Sequence, residues 1–128
     1  MKNEYHCPVE ATIDVIGGKW KTLIIHHLLD GTKRFNELKR LVSNVTQRML
    51  TSQLRELESI GIVHREVYAQ IPPKVEYSLT KKGRTLEPVL WKMHEWGELF
   101  LETTPGLKLL VPEEPVVPKK KGAKKKSA

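Results

Sequence analysis

Apolar residues in the first part of the chain recur every three or four positions, which is the spacing of an amphipathic helix. The first run follows Pro8, a residue favoured in the first turn of a helix, and stops at Gly17-Gly18. A second run stops at Gly31, where glycine suits a left-handed cap. The pattern predicts two helices. Their apolar positions are Val9, Ile13 and Ile16, and then Trp20, Leu23, Ile24, Ile25 and Leu28.

The following segment has the pattern of two helices joined by a tight turn, a helix-turn-helix. Apolar residues at helical spacing over 35–42 predict the first of them, and Ser43-Asn44-Val45 supplies the turn. Thr46 suits the N-cap of the second helix, which we expect over residues 46–59. Its inward-facing residues are Leu50, Leu54 and Leu57.

From residue 62 the period changes from helical to alternating, which indicates strands. Residues 62–68 are rich in β-forming side chains, and apolar and polar residues alternate over 74–79. The stretch Gln70-Ile71-Pro72-Pro73 can continue neither strand, so it forms the tip of a hairpin. Thr80 then caps one long final helix that runs to about residue 102.

These elements predict a mainly α-helical domain with a small β-hairpin, in the order helix, helix, helix-turn-helix, hairpin, long C-terminal helix. That order is a winged helix-turn-helix. The domain is expected to span residues 1–104. Prolines and the lysine run at 119–126 predict a disordered basic tail over 105–128.

Composition excludes several classes of protein. No apolar run approaches the ~20 residues of a membrane span, and no secretory signal precedes the first helix. One cysteine excludes an internal disulfide and a multi-cysteine zinc site, and it suits a cytoplasmic protein. The five histidines lack the spacing of metal ligands. We therefore expect no metal, no cofactor and no enzymatic activity, and a thiol enzyme centred on Cys7 is the weakest alternative.

The charge is unevenly distributed. The formal net charge is +7, and residues 33–84 alone hold eleven basic against five acidic side chains. This basic segment coincides with the predicted helix-turn-helix and hairpin, which indicates double-stranded DNA as the partner. Two alternatives stay open: the basic residues form an ordinary solvated face, or the lysine tail drives non-specific nucleic-acid binding.

The second helix of the helix-turn-helix presents a polar face opposite its leucines. Gln47, Arg48 and Ser52 lie in its first half, the part that enters the major groove, and we expect them to contact base edges. Further DNA contacts, chiefly to the backbone, are expected from Thr46, Thr51, Arg55, Lys33 and Arg34. In the hairpin, Arg65, Gln70 and Lys74 flank the tip, where they can reach phosphates or base edges of the minor groove. In the alternative interpretation, Arg48 and Arg55 only form surface pairs with Glu56, Glu58 or Glu66.

An ordered series of short motifs extends over about residues 7–100. It comprises Cys7-Pro8-Val9-Glu10, Gly17-Gly18-Lys19-Trp20-Lys21, Arg34-Phe35-Asn36-Glu37-Leu38, Gln47-Arg48-Met49-Leu50-Thr51, Leu54-Arg55-Glu56-Leu57, the segment from Pro72 to Thr80, Gly83 and Trp96-Gly97. In these motifs the chain resembles the HxlR-type family of bacterial and archaeal transcriptional regulators, which are related to MarR-type winged-helix regulators. The chain departs from the family at Ser43-Asn44-Val45-Thr46, where the family has Pro-Gly-Ile-Ser, but the hydroxyl cap is kept.

The resemblance implies a homodimer that binds a palindromic operator, with dimer contacts from the first and last helices. An apolar stripe on the last helix agrees with this, because a small monomer has no need of so much apolar surface. The candidate dimer residues are Val9, Ile13, Leu90, Met93, Trp96 and Phe100.

In similar proteins the cysteine before the first helix often senses electrophiles or oxidants, and Cys7 matches that position. A helix N-terminus stabilises a thiolate, which is the reactive form of the side chain. A small electrophile or oxidant is therefore a candidate effector. In the alternative, Cys7 is buried or only caps the helix.

Overall fold

The computed structural model describes residues 2–110. Its helices are α1 (Pro8–Ile16), α2 (Lys21–Leu28), α3 (Phe35–Leu41), α4 (Gln47–Ser59), α5 (Lys81–Arg84) and α6 (Glu87–Thr103). Its strands are β1 (Lys33–Arg34), β2 (Val63–Tyr68) and β3 (Lys74–Leu79). This element order confirms the predicted winged helix-turn-helix, in which α3 and α4 form the helix-turn-helix and β2 and β3 form the wing.

The sheet has one strand more than the hairpin that the sequence predicts. The strand order is β1-β3-β2, with both pairs antiparallel, and β1 pairs Lys33 with Tyr77. A strand of two residues is too short to show an alternating pattern, so the sequence carries no signal for β1. The predicted hairpin is present, with residues 69–73 at its tip.

The predicted long C-terminal helix is present as α6, but the prediction that Thr80 caps it is wrong, because the chain turns between α5 and α6. Thr80 caps only α5, where its hydroxyl accepts a hydrogen bond from the backbone N–H of Gly83 at 2.9 Å. Pro88 explains the break, since it has no N–H to bond the carbonyl of Arg84 and its ring would collide with that carbonyl. α5 lies so close to the sheet that a Cβ on Gly83 would come within 2.3 Å of the carbonyl oxygen of Ile62.

The core lies between α2, α3, α4 and the inner face of the sheet. Its fully buried side chains include Ile24, Ile25, Leu28, Leu38, Leu50 and Leu57. α6 packs against α2 and adds Leu90, of which only 2% is exposed. The prediction that Leu90 contacts a second subunit is therefore wrong, because its side chain is already used within this one.

The predicted lysine run at 119–126 lies outside the described residues, and the division of the chain into 1–104 and a tail stays a prediction. Within residues 2–110, no helix is both long enough and apolar enough to cross a membrane.

Candidate nucleic-acid interface

α4 exposes the polar side chains of its N-terminal half, while its cap and its apolar face hold it to the rest of the domain. The hydroxyl of Thr46 accepts a hydrogen bond from the backbone N–H of Met49 at 3.0 Å and so caps the helix. Leu50, Leu54 and Leu57 are buried on the opposite face. The predicted polar face is correspondingly turned outwards: Gln47, Arg48, Ser52 and Arg55 are exposed and Thr51 is half-buried.

The two arginines of α4 are not neutralised by the glutamates that the alternative interpretation assigned to them. Glu56 lies against Lys21, and Glu66 against His64 at 2.8 Å. Within residues 2–110, neither Arg48 nor Arg55 forms an ion pair. Their guanidinium groups are therefore available to an external anion, and a guanidinium donates well to both phosphate oxygens and guanine.

Lys21 is a residue that the sequence did not single out. Its Nζ lies 2.6 Å from Oε1 of Glu56 and 3.0 Å from Oε1 of Gln53, so one side chain on α2 holds two side chains on α4. In the sequence, Gly17-Gly18 only predicts a break between helices, and it is the folded chain that brings Lys21 to α4.

Two basic residues precede α3, and within residues 2–110 Lys33 forms an ion pair and Arg34 forms none. Arg34 is exposed, and its backbone N–H donates to Oε1 of Glu37 at 2.8 Å, which fixes the start of α3. Lys33 is largely buried, and its Nζ lies 3.2 Å from Oδ2 of Asp30. A contact from Lys33 to DNA stays a prediction, but this side chain already has an anionic partner.

The three candidate residues of the wing differ in their location and exposure. Arg65 faces α4, where it lines a small cavity of about 210 Å³ together with Thr51, Arg55 and Tyr77. Gln70 is exposed at the tip. Lys74, which is predicted to contact DNA, is half-buried.

The ammonium group of Lys74 has two partners within the wing. Its Nζ lies 3.7 Å from Oε2 of Glu76 and 4.4 Å from the centre of the Tyr68 ring. Glu76 in turn raises the pKa of the Tyr68 phenol, because its negative charge disfavours the phenolate. Because these partners partly neutralise its charge, Lys74 attracts a phosphate group less strongly than a fully exposed lysine would.

α1 and α6 both expose apolar side chains. Five of the six predicted dimer residues, all but Leu90, lie on this surface: Val9, Ile13, Met93, Trp96 and Phe100. Trp96 is 65% exposed, and its ring stacks on that of Phe100 with centroids 5.2 Å apart. Val89 and Leu99 are also exposed, although the prediction did not include them.

Cys7 is the N-cap residue of α1, and it is exposed. Its side chain makes no capping hydrogen bond; the backbone carbonyl of Cys7 accepts from the N–H of Glu10 at 2.9 Å instead. The thiol is therefore neither buried nor engaged in a capping hydrogen bond. The sulfur is left accessible to a reagent in solution.

Three histidines, none of them predicted to be functional, lie together where α6 meets α2. His26 stacks on His94 with ring centroids 5.9 Å apart, and Trp91 packs edge-on against both. His27 is buried beside them, and burial lowers its pKa to about 4. Burial also lowers the pKa of His26. At neutral pH both imidazoles are therefore uncharged and act as packing groups.

Comparisons with known proteins agree with this architecture. A model of the HxlR-like helix-turn-helix family matches residues 15–105. In sequence, the chain is similar to the HTH-type transcriptional regulator YybR of Bacillus subtilis, with 67% identity over 96 residues that cover 75% of this chain and 77% of YybR.

Two solved structures extend the comparison to three dimensions. The redox regulator HypR in its oxidised form has a TM-score of 0.70 and 68% identity, over 73% of this chain and 96% of HypR. The reduced form of the transcriptional regulator YodB of B. subtilis has a TM-score of 0.66 and 40% identity, over 78% of this chain and 99% of YodB.

Proposed function

The chain belongs to the HxlR-like helix-turn-helix family of transcriptional regulators, and on that premise we propose that it binds a palindromic operator as a homodimer, with α4 in the major groove. The family and the relatives are regulators, so the expectation that the chain is not an enzyme is confirmed. The family match also confirms the resemblance seen in the sequence.

The outer face of α4 is the observation that carries the proposal. Its cap and its three buried leucines fix the helix, while Gln47, Arg48 and Ser52 extend from it into solvent. Arg48 suits a bidentate contact to guanine, and Gln47 suits one to adenine. Arg55 and Arg34 supply the charge for backbone contacts on either side.

The dimer is supported by the apolar surface of α1 and α6. A Trp96–Phe100 stack in water leaves two large rings unburied, and a second copy would remove them from solvent. A two-fold axis through this surface would present two α4 helices to one side of the duplex, and we expect their half-sites about one helical turn, ~34 Å, apart.

Cys7 is the proposed sensing residue. HypR is described as a redox regulator, and the exposed thiol of Cys7 lies at the start of α1, beside the exposed Val9 and Ile13 of the proposed dimer surface. A group added at this sulfur would change how α1 meets the second subunit, and thereby the separation of the two α4 helices.

Selection from a pool of random duplexes with the full chain tests the proposal. We expect one inverted repeat to be enriched, and we expect sedimentation to give two chains per duplex. Equal retention of all duplexes would refute sequence-specific binding and favour the non-specific alternative. One chain per duplex would refute the dimer.

A further inference from the structure

A stack of two imidazoles joins α2 to α6. The rings of His26 on α2 and His94 on α6 are nearly parallel, with an interplanar angle of 22° and their centroids 5.9 Å apart. Trp91 packs edge-on against both rings, and its indole N–H donates to Oε2 of Glu87 at 3.3 Å, which holds the indole in place. We call the three residues His26, Trp91 and His94 the histidine joint.

The histidine joint connects the proposed dimer surface to the rest of the domain. α6 packs chiefly against α2, where Leu90 is its one buried residue within the described part of the chain. The opposite face of α6 exposes Met93 and Trp96 of the proposed dimer surface. α2 is in turn tied to α4 through Lys21. A change at the joint therefore moves the dimer surface relative to α4.

The two histidines of the joint differ in the charged groups that face them. Nδ1 of His94 lies 3.6 Å from Oε1 of Glu98, one turn further along α6, so a proton on His94 has an anionic partner. Within residues 2–110, His26 forms no ion pair. The charge that acts on His26 is that of His94 itself.

The other charged groups near the joint do not compensate a charge on His26. Lys33 and Asp30 act on the buried His27 and lie 3.2 Å from each other. Arg84, on α5, donates to the backbone carbonyl oxygen of Leu29 at 3.4 Å. A proton on His26 thus has no counter-charge among the described residues.

The closed joint accommodates one positive charge better than two. A second imidazolium, on His26, would lie about one ring stack from the first in a half-buried site, where like charges repel strongly. Burial, and then the charge of His94, lower the pKa of His26. Separation of α6 from α2 would remove both effects, so the open joint takes up a proton that the closed joint does not.

We propose that the histidine joint is an acid-sensitive switch: in mild acid His26 takes up a proton, α6 separates from α2, and the dimer loses affinity for its operator. The proposal rests on the proposed function, because it requires a dimer formed through α6. Below the ordinary imidazole pKa of about 6.5, the open joint binds one proton more than the closed joint, so acid favours opening. Above this pH the two forms bind equal numbers of protons, and the closed joint prevails.

Operator affinity at pH 7.5 and pH 5.5 tests the switch, with the full chain and the duplex that the wild type selects. One linked proton changes affinity at most about tenfold per pH unit, and we expect the wild type to bind about tenfold more weakly at pH 5.5. His26→Gln, which cannot take up the proton, should lose less than twofold.

Two control variants separate the joint from the other histidines. His64→Gln removes an exposed histidine of the wing, and His27→Gln removes the buried neighbour of the joint. Both should keep the tenfold loss of the wild type. If His26→Gln does not fold, His94→Gln takes its place: it removes the like charge of the stack, so its loss should be smaller than that of the wild type.

Hydrogen exchange locates the change without DNA. Amide protection factors in α6 of the wild type should fall between pH 7.5 and pH 5.5, while those in α4 should stay constant. In His26→Gln the α6 amides should be equally protected at both pH values. Circular dichroism should show the same helix content at both, because only the joint opens.

Three results would overturn the inference alone: a wild-type affinity that changes less than twofold, a parallel loss in the wild type and His26→Gln, or constant protection of α6. A loss of helix content at pH 5.5 would show unfolding of the whole domain and would also overturn it. A wild type that selects no duplex overturns the proposed function, and the exchange of the α6 amides then decides by itself whether the joint opens in acid.

Discussion

The Nζ atom of Lys21 on α2 lies 2.6 Å from Oε1 of Glu56 on α4, and only 14% of the lysine side chain is exposed. This pair joins the scaffold helix to the helix that presents Gln47 and Arg48. The orientation of the proposed recognition surface therefore depends on a side chain that lies outside that surface.

Replacing Lys21 by methionine should destabilise the fold by about 1–2 kcal/mol, because Glu56 and Gln53 lose a partly buried cationic partner. Urea unfolding measures the change. Lys92→Met is the control: Lys92 lies 3.5 Å from Glu95 but is 81% exposed, so its loss should cost less than about 0.5 kcal/mol. Equal costs in the two variants would contradict this account.

Arg48→Ala should reduce the preference for the selected operator over a scrambled duplex by roughly 1–3 kcal/mol, since a base contact is lost. Deleting residues 119–128, which carry six lysines, should instead weaken binding to both duplexes equally and lower the salt slope. Titrations of both duplexes at two salt concentrations distinguish the two effects. The division of roles fails if the two variants behave alike.

Trp96→Glu should raise the dimer dissociation constant at least about tenfold, because a charge would replace the largest exposed ring of the apolar surface. Sedimentation equilibrium measures this constant. Lys92→Glu, an exchange at an exposed position on the same helix, tests whether added charge alone has the effect. A Trp96→Glu protein that dimerises like the wild type would remove this surface from the interface.

Treating the protein with N-ethylmaleimide should change its operator affinity, because alkylation adds a bulky group to the exposed sulfur of Cys7 at the start of α1. Affinity measured before and after treatment gives the effect. Cys7→Ser should bind as the untreated wild type does and should not respond. An unresponsive wild type would show that this sulfur is not coupled to DNA binding.

The burial of His27 should make the protein less stable in mild acid. Burial first, then the charges of His26 and Lys33, lower the pKa of His27 from 6.5 to about 4, against the opposing effect of Asp30. Between these values the unfolded chain binds a proton that the folded chain does not, so stability is complete above pH 6.5 and falls towards pH 4. The loss from this one group is about 3 kcal/mol at most.

Urea unfolding at several pH values measures this loss. In His27→Gln the decline should be shallower, because the group that takes the proton is gone, whereas His64→Gln, an exchange at an exposed histidine, should retain it. A wild type and a His27→Gln variant that decline in parallel would show that His27 does not contribute.

The sequence predicts features that are local in the chain. The polar face of α4 follows from the spacing of Leu50, Leu54 and Leu57, and its beginning follows from the chemistry of Thr46, so helix, cap and outward residues were all predictable. The hairpin was predictable for the same reason.

Features that depend on distant parts of the chain were not predictable. Lys21 and Glu56 meet only after α2 and α4 pack, and Lys74 is engaged only because the register brings it across from Tyr68. Leu90 belongs to the apolar stripe of α6, and the sequence does not show which residues of this stripe are buried within the subunit. Packing against α2 buries Leu90 and leaves Met93 and Trp96 exposed.

The narrow gap between Gly83 and the carbonyl oxygen of Ile62 limits how this protein can diverge over generations. Lys81 on the same short helix is open to drift because its side chain is exposed, whereas Lys82 donates to the carbonyl oxygen of Ile60 at 3.3 Å. Even alanine at position 83 would push the helix off the sheet. Gly83 is thus the residue of this short helix that is under the strongest selection to stay unchanged.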